Sequence, residues 1–207
     1  MPDANPALTR DALADDPIEQ FLRWLAEAEA TGMTDPNAMT VATAGVDGRP
    51  SARTILLRGA GHDGFRFYTN RGSLKGRQLA ENPRAQLLFY WRELGRQILV
   101  HGSVEPTSDA DSDAYFKSRP RLSRLGAHAS HQGRPISSRE ELLDAVAAAD
   151  ARHPGEDVPR PEHWGGFRLT PHAIEFWQAG EFRLHDRFVY VREDETGRRW
   201  RIERLSP

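Results

Sequence analysis

From residue 38 onward the chain consists of short segments of β-type composition separated by glycine-rich turns. Gly45-Val46-Asp47-Gly48 and the run from Gly59 to Gly64 have the composition of hairpin loops. The predicted strands are Ala38–Thr43, Ser51–Arg58, Phe65–Thr69, Gln86–Trp91, Gln97–Val104, Phe167–Leu169, Ile174–Gln178, Arg187–Arg192 and Arg199–Leu205. Mostly antiparallel strands joined by tight turns, with helices outside the run, indicate a mainly β (α+β) fold, a β-barrel with peripheral helices rather than βαβ units.

The first helix has a clear start signal and a clear end signal. Asp16 is the expected N-cap, Pro17 takes the first helical position and Glu19 completes a capping box, while Gly32 ends the helix. Its expected apolar stripe consists of Ile18, Phe21, Leu22 and Leu25. Three further helices are predicted, one capped by Ser73 and stopping at Asn82-Pro83, and two over Ser108–Ser118 and Ser138–Ala151. We expect residues 1–15 to be a mobile segment and residues 16–207 to form one domain.

The residue composition excludes several classes of protein. There is no cysteine among the 207 residues, which removes thiol nucleophiles, cysteine-ligated metals and disulfides. The formal net charge of −2 gives no strong basic field for nucleic acid. The chain has no apolar run long enough to cross a bilayer, and the polar, acidic N-terminus lacks the apolar core of a signal peptide. A cytoplasmic location is therefore expected.

Three motif interpretations fail on closer reading. The run from Gly59 to Gly64 spells GxGxxG, but the segment after it, Phe65–Thr69, alternates like a strand, so no helix N-terminus follows to hold a pyrophosphate. His128 and His131 have no third ligand at a recognised spacing, so no metal site is predicted. A GxSxG nucleophile elbow is also lacking.

One segment combines aromatic, cationic and imidazole side chains at close spacing. Phe176-Trp177-Gln178 is followed by Arg183-Leu184-His185-Asp186-Arg187-Phe188. On a single β-hairpin, alternation predicts that Arg183, His185 and Arg187 share one face. Such a face fits either an anionic or electron-rich ligand or a solvated charged hairpin, and the segment alone does not decide between them.

These two motifs closely resemble the C-terminal signature of pyridoxamine (pyridoxine) 5′-phosphate oxidases, and Glu203-Arg204-Leu205-Ser206-Pro207 is similar to that family's terminus. The resemblance extends in the family's order from about Asp16 to Pro207. The other matching segments are Asp35–Met39, Arg53–Arg58, Phe67–Asn70, Gly95–Gln97, Tyr115–Arg121 and Trp164–Phe167. The family fold is an antiparallel split β-barrel, and its members are homodimers with FMN at the subunit interface. The resemblance therefore implies two equivalent FMN sites per homodimer.

The resemblance also implies roles for individual residues. Arg183 and His185 match the residues that cover the pyridine ring and the reacting carbon of the substrate, and they are the expected catalytic pair. The expected cofactor-binding residues are Arg53, Arg58, Tyr68, Thr69, Lys75, Gln97, Gln132, Trp177 and Arg187. The expected substrate-binding residues are Arg58, Tyr115, Arg119, Ser123, Arg183 and His185.

The implied reaction is the oxidation of pyridoxamine 5′-phosphate and pyridoxine 5′-phosphate to pyridoxal 5′-phosphate. A hydride passes from C4′ of the substrate to FMN, and dioxygen is reduced to hydrogen peroxide. The partners expected of the chain are its own second copy, the phosphorylated vitamer and dioxygen, with no nucleic acid and no membrane.

The sequence departs from the family pattern at several positions. Residues 1–15 contain Arg10 but no tyrosine, although family members commonly carry an N-terminal Arg…Tyr segment that closes over the substrate. Leu74 stands in place of an arginine, Gly133 in place of a serine, Arg58 in place of a lysine and Phe182 in place of a polar residue. Two alternatives stay open. One is an FMN-dependent oxidase of this fold that acts on another substrate such as a phenazine precursor, and the other is a non-catalytic flavin- or haem-binding split-barrel protein.

Overall fold

The computed structural model describes residues 6–194 and 199–207. Its five α-helices are α1 Pro17–Ala30, α2 Leu74–Glu81, α3 Asp109–Ser118, α4 Arg121–Ala129 and α5 Arg139–Arg152. Its nine strands are β1 Ala38–Ala44, β2 Pro50–Leu56, β3 Gly59–Gly61, β4 Gly64–Asn70, β5 Arg84–Trp91, β6 Arg96–Pro106, β7 Trp164–Gln178, β8 Asp186–Arg192 and β9 Trp200–Leu205. The strand pairs are all antiparallel, and the main path runs β2-β1-β5-β6-β7-β4-β3, with β8 and β9 branching from β7. The predicted fold class is confirmed.

Side-chain caps begin the predicted helices at the expected residues. The Asp16 carboxylate accepts hydrogen bonds from the backbone N–H groups of Ile18 (2.7 Å) and Glu19 (3.2 Å) at the start of α1. Ser73 and Ser138 cap α2 and α5 in the same way. These three predicted starts are therefore confirmed.

Strand β7 gives the sheet its branched shape. It runs over 15 residues, whereas the sequence predicts two separate strands, Phe167–Leu169 and Ile174–Gln178. The break expected between them is absent because the register of β6 against β7 shifts at His101/Gly102, and this bulge accommodates Pro171 within the strand. One edge of β7 pairs with β6 along its length, while the other pairs first with β4 and then with β8. The two ends of β7 therefore belong to different parts of the sheet.

The N-terminal segment packs against the barrel from residue 6 onward. Leu8 and Leu13 are buried within the main hydrophobic core. The backbone N–H of Leu8 donates to Asp186 at 2.9 Å, and the Tyr190 hydroxyl donates to the carbonyl oxygen of Ala14 at 2.6 Å. The expected boundary at residue 16 thus does not mark the edge of the packed structure, while residues 1–5 lie outside the described residues.

Two local expectations about the helices are wrong. Leu22 is 43% exposed, and Trp24 and Ala28 instead complete the buried stripe of α1 with Ile18 and Phe21. Helix α4 was not predicted, because its short sequence offers few buried apolar residues and begins directly after Pro120. This missed helix carries Ser123, one of the expected substrate-binding residues.

Candidate active site

A cavity of about 420 Å³ lies where the end of β2, strand β4 and helices α2, α3 and α4 meet. Its lining brings together eight of the predicted site residues, namely Arg58, Tyr68, Thr69, Lys75, Tyr115, Arg119, Ser123 and Gln132. Sequence segments that lie far apart in the chain therefore contribute to one pocket of the size expected for small-molecule sites.

Lys75 is a buried cation that contacts only neutral groups. Its Nζ donates to the Thr69 hydroxyl at 2.9 Å, to Gln132 Oε1 at 2.7 Å and to the Ser73 hydroxyl at 3.4 Å. Burial, and after it the nearby positive charge of Arg53, lowers the pKa of Lys75 to about 8. An anion in the cavity would offset both effects.

Arg53 lies beside Lys75 and is held in a similar way. Its Nη1 donates to the carbonyl oxygen of Val41 at 3.2 Å and to the Thr43 hydroxyl at 2.7 Å, and its Nη2 donates to the Ser51 hydroxyl at 2.6 Å. Burial lowers the pKa of this guanidinium as well. The two neighbouring cations thus form a ready site for a phosphate group.

Stacked aromatic rings support the other side of the cavity. The ring centroids of Tyr68 and Tyr115 lie 4.1 Å apart, and Trp164 stacks 5.6 Å from Tyr68. The guanidinium of Arg119 lies 4.8 Å from the Trp164 ring centroid, and that of Arg58 lies 5.7 Å from Tyr115. Nη1 of Arg119 is buried and has no hydrogen-bond partner among residues 6–194 and 199–207, and burial lowers the pKa of this side chain. An acceptor bound in the cavity would satisfy this donor.

Arg53, Arg58, Lys75 and Arg119, hereafter the four site cations, form no ion pair with a carboxylate in the part of the chain that the structure describes. Arginines elsewhere do form such pairs: Arg160 contacts Asp109 at 2.9 Å and Asp113 at 2.6 Å. Arg58, Lys75 and Arg119 line the cavity, and Arg53 lies close enough to Lys75 to lower its pKa. Because like charges repel, this arrangement favours an anionic ligand.

Apart from Arg53, the remaining predicted site residues lie at the other end of β7. In the sheet register, Trp177 pairs with Gln97 on β6 and with Arg187 on β8. The rings of Trp177 and His185 lie 4.7 Å apart, and His185 Nδ1 accepts from the backbone N–H of Gly180 at 3.2 Å. We call Gln97, Trp177, Arg183, His185 and Arg187 the β7–β8 cluster.

The cavity and the β7–β8 cluster are separate within one chain. Tyr68 in the cavity pairs with Gly166 of β7, and Trp177 lies 11 positions further along the same strand. At about 3.3 Å per residue this is on the order of 35 Å along the strand. The described residues that line the cavity include no member of the β7–β8 cluster.

The placement expected for Arg183 and His185 is wrong. They do not alternate with Arg187 on a strand, because β8 begins only at Asp186 and a short 3₁₀ turn spans Glu181–Arg183. Phe182 (φ 53°) and Arg183 (φ 65°) both have the left-handed backbone conformation that non-glycine residues rarely adopt. Phe182 is also 89% exposed. The turn therefore places Arg183 outside the strand alternation that the sequence predicts.

Seven residues that line the cavity are not among the predicted site residues, and two of these, Trp164 and Asn70, have side chains that contact other parts of the site. Both lie within segments that match the family, so the signal was present, but no role was assigned to them. Trp164 supports Arg119, and the Asn70 side-chain amide donates to the carbonyl oxygen of Ser130 at 3.3 Å. No helix of the described residues is both long and apolar enough to span a membrane.

Two family models match this chain. The model described as "Pyridoxamine 5'-phosphate oxidase" matches residues 25–153, and the model described as "Pyridoxine 5'-phosphate oxidase C-terminal dimerisation region" matches residues 164–207. The second match contains most of the β7–β8 cluster and supports a homodimer.

Relatives and solved structures agree with these matches. A pyridoxine/pyridoxamine 5′-phosphate oxidase of Rubrobacter xylanophilus is 54% identical over 97% of this chain and 91% of the relative. An oxidase of the same name from Burkholderia lata is 52% identical over 94% of this chain and 91% of the relative.

The structure of PhzG from Burkholderia lata, in complex with tetrahydrophenazine-1-carboxylic acid, has a TM-score of 0.89 at 36% identity and covers 99% of this chain and 100% of its own. A related FMN-binding protein from Nostoc punctiforme shares the fold, with a TM-score of 0.74 at 19% identity over 94% of this chain and 100% of its own. The length and identity of these matches, together with the shared fold, show that the chain belongs to the pyridoxamine 5′-phosphate oxidase family.

Proposed function

We propose that the protein is a cytoplasmic, FMN-dependent oxidase that converts pyridoxamine 5′-phosphate and pyridoxine 5′-phosphate to pyridoxal 5′-phosphate. Dioxygen is reduced to hydrogen peroxide in the same reaction. With the amine substrate, water hydrolyses the resulting imine to the aldehyde and ammonia is released. The observation that carries the proposal is the group of four site cations, of which three line the cavity and Arg53 lies next to Lys75. None of the four forms an ion pair with a carboxylate of the described residues. Both the cofactor and the substrate end in a phosphate, so each requires cations of this kind.

The residues around Lys75 fit the phosphate of FMN. Lys75 and Arg53 supply two adjacent positive charges, and Thr69 and Gln132 already contact the lysine. A phosphate dianion next to Lys75 would compensate the burial that lowers the lysine's pKa. Bound FMN would supply the hydride acceptor and the route for electrons to dioxygen.

The residues around Arg119 fit the phosphate of the substrate. The unpartnered Nη1 of Arg119 supplies a buried donor, and Tyr115 and Ser123 add hydroxyl groups in the same cavity. Arg58, which contacts the Tyr115 ring, supplies a second cation. The aromatic stack beneath these groups holds the guanidinium groups without neutralising them, so their charge remains available to a phosphate ester.

The complete site is formed by two chains in this proposal. Within one chain the β7–β8 cluster is too far along β7 to reach the cavity. In a two-fold dimer, the cluster of one protomer faces the cavity of the other, which makes two equivalent sites. Arg183 would then place a permanent positive charge next to the reacting carbon and disfavour the protonated form of the substrate amine.

The relatives favour a vitamin substrate over a phenazine precursor. Burkholderia lata has both kinds of protein, and this chain is 52% identical to its pyridoxine/pyridoxamine 5′-phosphate oxidase but 36% identical to its PhzG. The test is oxidation of the phosphorylated vitamers by the purified protein.

Mixed dimers test whether the sites are shared between protomers. We expect chains with Arg119→Ala and chains with Arg183→Glu to be poorly active on their own at low substrate concentration. Co-produced chains should recover about a quarter of wild-type activity, because about half of the dimers are mixed and each mixed dimer has one intact site. Activity no higher than that of the separate variants would contradict shared sites.

FMN affinity should depend on pH through Lys75. The free protein loses the Lys75 proton above a pKa of about 8, whereas a bound phosphate dianion keeps that proton in place. Binding must then take up a proton, so the Kd for FMN should rise about tenfold between pH 7 and pH 9. Titrations of the flavin-free protein measure this. Riboflavin, which has no phosphate, and the variant Lys75→Arg should both give flat profiles, and an equal slope for riboflavin would contradict the assignment.

A further inference from the structure

Gln78 is a buried polar residue whose role the proposed reaction does not explain. It lies on α2, one turn after Lys75, and is 8% exposed. Its side-chain oxygen accepts hydrogen bonds from the Thr43 hydroxyl at 2.7 Å and from the Ser51 hydroxyl at 2.6 Å. The amide therefore joins α2 to strands β1 and β2.

These two hydroxyls are the same ones that hold Arg53. Each hydroxyl has a single proton, and in each case this proton is donated to Gln78. The oxygen lone pairs of Thr43 and Ser51 are thereby directed at Arg53, whose Nη1 and Nη2 donate to them at 2.7 Å and 2.6 Å. Gln78 thus fixes the direction of two acceptors and, through them, the plane of the guanidinium.

A carboxylate could accept the same two hydrogen bonds, but it would also cancel positive charge. A carboxylate does hold an arginine elsewhere in the structure. Arg187 donates hydrogen bonds of 2.8 Å and 3.1 Å to the buried Glu175. Around Arg53 and Lys75, in contrast, every hydrogen-bond acceptor of the described residues is a hydroxyl, an amide or a backbone carbonyl. The support for this cation pair is neutral throughout.

We infer that Gln78 is a positioning residue that orients Arg53 through Thr43 and Ser51 while leaving the charge of the Arg53–Lys75 pair available to a phosphate. This inference rests on the proposed function, in which the phosphate belongs to FMN. A neutral support lowers the stability of the flavin-free protein, because the buried Lys75 and the half-buried Arg53 repel each other without a counter-ion. The same unbalanced charge strengthens binding of a dianion.

The variant Gln78→Glu separates the effect on stability from the effect on FMN binding. It keeps the shape of the side chain and can still accept the hydrogen bonds from Thr43 and Ser51, but it adds a negative charge. We expect the Tm of the flavin-free protein to rise, while its Kd for FMN at pH 7 increases at least tenfold and its Kd for riboflavin stays unchanged. The pH at which FMN affinity begins to fall should also move upward, because a nearby carboxylate favours protonated Lys75. A residue with a purely structural role would instead lose stability and FMN affinity together.

Two further variants complete the test. Ala80→Glu adds the same charge to the exposed side of α2, where solvent screens it. It should leave the Tm unchanged and should change the Kd for FMN by no more than about twofold. Gln78→Leu removes the acceptor, so it should weaken FMN binding without moving the pH dependence. Unchanged FMN affinity in Gln78→Glu or in Gln78→Leu would overturn the inference. A wild-type protein that binds no FMN would instead refute the proposed function.

Discussion

Replacing Arg119 with alanine is expected to raise the KM for both phosphorylated vitamers about 30- to 150-fold. This range corresponds to about 2–3 kcal/mol, the usual contribution of a charge-assisted hydrogen bond. The physical reason is the buried Nη1 of Arg119, which has no partner in the described protein and lies in the cavity above Trp164. Because we assign the FMN phosphate to Lys75 and Arg53, FMN should remain bound. Steady-state kinetics and the flavin absorbance of the variant measure both results.

Lys117→Ala is the matched control for this prediction. Lys117 is exposed on the same helix, α3, and its replacement removes one positive charge two residues away from Arg119. Its KM should stay within about twofold of the wild-type value. If Arg119→Ala leaves the KM equally unchanged, Arg119 is a surface residue at the end of α3 and the phosphate site must be assigned elsewhere.

Reversing the charge of Arg183 should lower kcat/KM by at least about 100-fold. The variant Arg183→Glu keeps a long side chain, but in the proposed site it replaces a cation next to the reacting carbon by an anion, at a cost of about 3 kcal/mol or more. The turn from Glu181 to Arg183 lies outside the hydrophobic core, so the flavin spectrum and the dimer should persist. Kinetics on both vitamers and light scattering test these expectations.

Arg187→Glu provides the contrast to Arg183→Glu. Arg187 is held by Glu175 and donates to the carbonyl oxygen of Ser206 at 3.1 Å, and we assign it to the flavin rather than to the substrate. Reversing the charge of Arg187 should weaken the retention of FMN, whereas Arg183→Glu should leave FMN bound. Near-native turnover of Arg183→Glu on both vitamers would show that this role is wrong.

The sheet and the capped helices could be predicted from the sequence because local physical chemistry determines them. Asp16 and Ser73 cap helices through contacts within their own first turn. The run from Gly45 to Gly48 marks the hairpin between β1 and β2 for the same local reason. The run from Gly59 to Gly64 is only partly a turn, because Gly59–Gly61 forms β3, and its GxGxxG pattern is followed by strand β4 and not by a helix.

Features that depend on distant contacts could not be predicted. The continuity of β7 depends on a bulge opposite β6, and the burial of Leu8 depends on strands more than a hundred residues later in the chain. The sequence predicts strand alternation for Arg183, whereas the structure has a turn there, because a pattern of side chains carries no information about positive φ angles. The family resemblance assigned site residues, but only the structure shows that they lie in two separate groups within one chain.

Oxidation of the phosphorylated vitamers is tested most directly by measuring the formation of pyridoxal 5′-phosphate by the purified protein under air. Pyridoxamine 5′-phosphate, pyridoxine 5′-phosphate and a tetrahydrophenazine carboxylic acid should be tested side by side, with hydrogen peroxide measured in each reaction. We expect both vitamers to yield the aldehyde with one equivalent of hydrogen peroxide, and we expect the phenazine precursor to react far more slowly. Turnover of the phenazine precursor without turnover of either vitamer, or no turnover by a flavin-loaded protein, would contradict the proposed function.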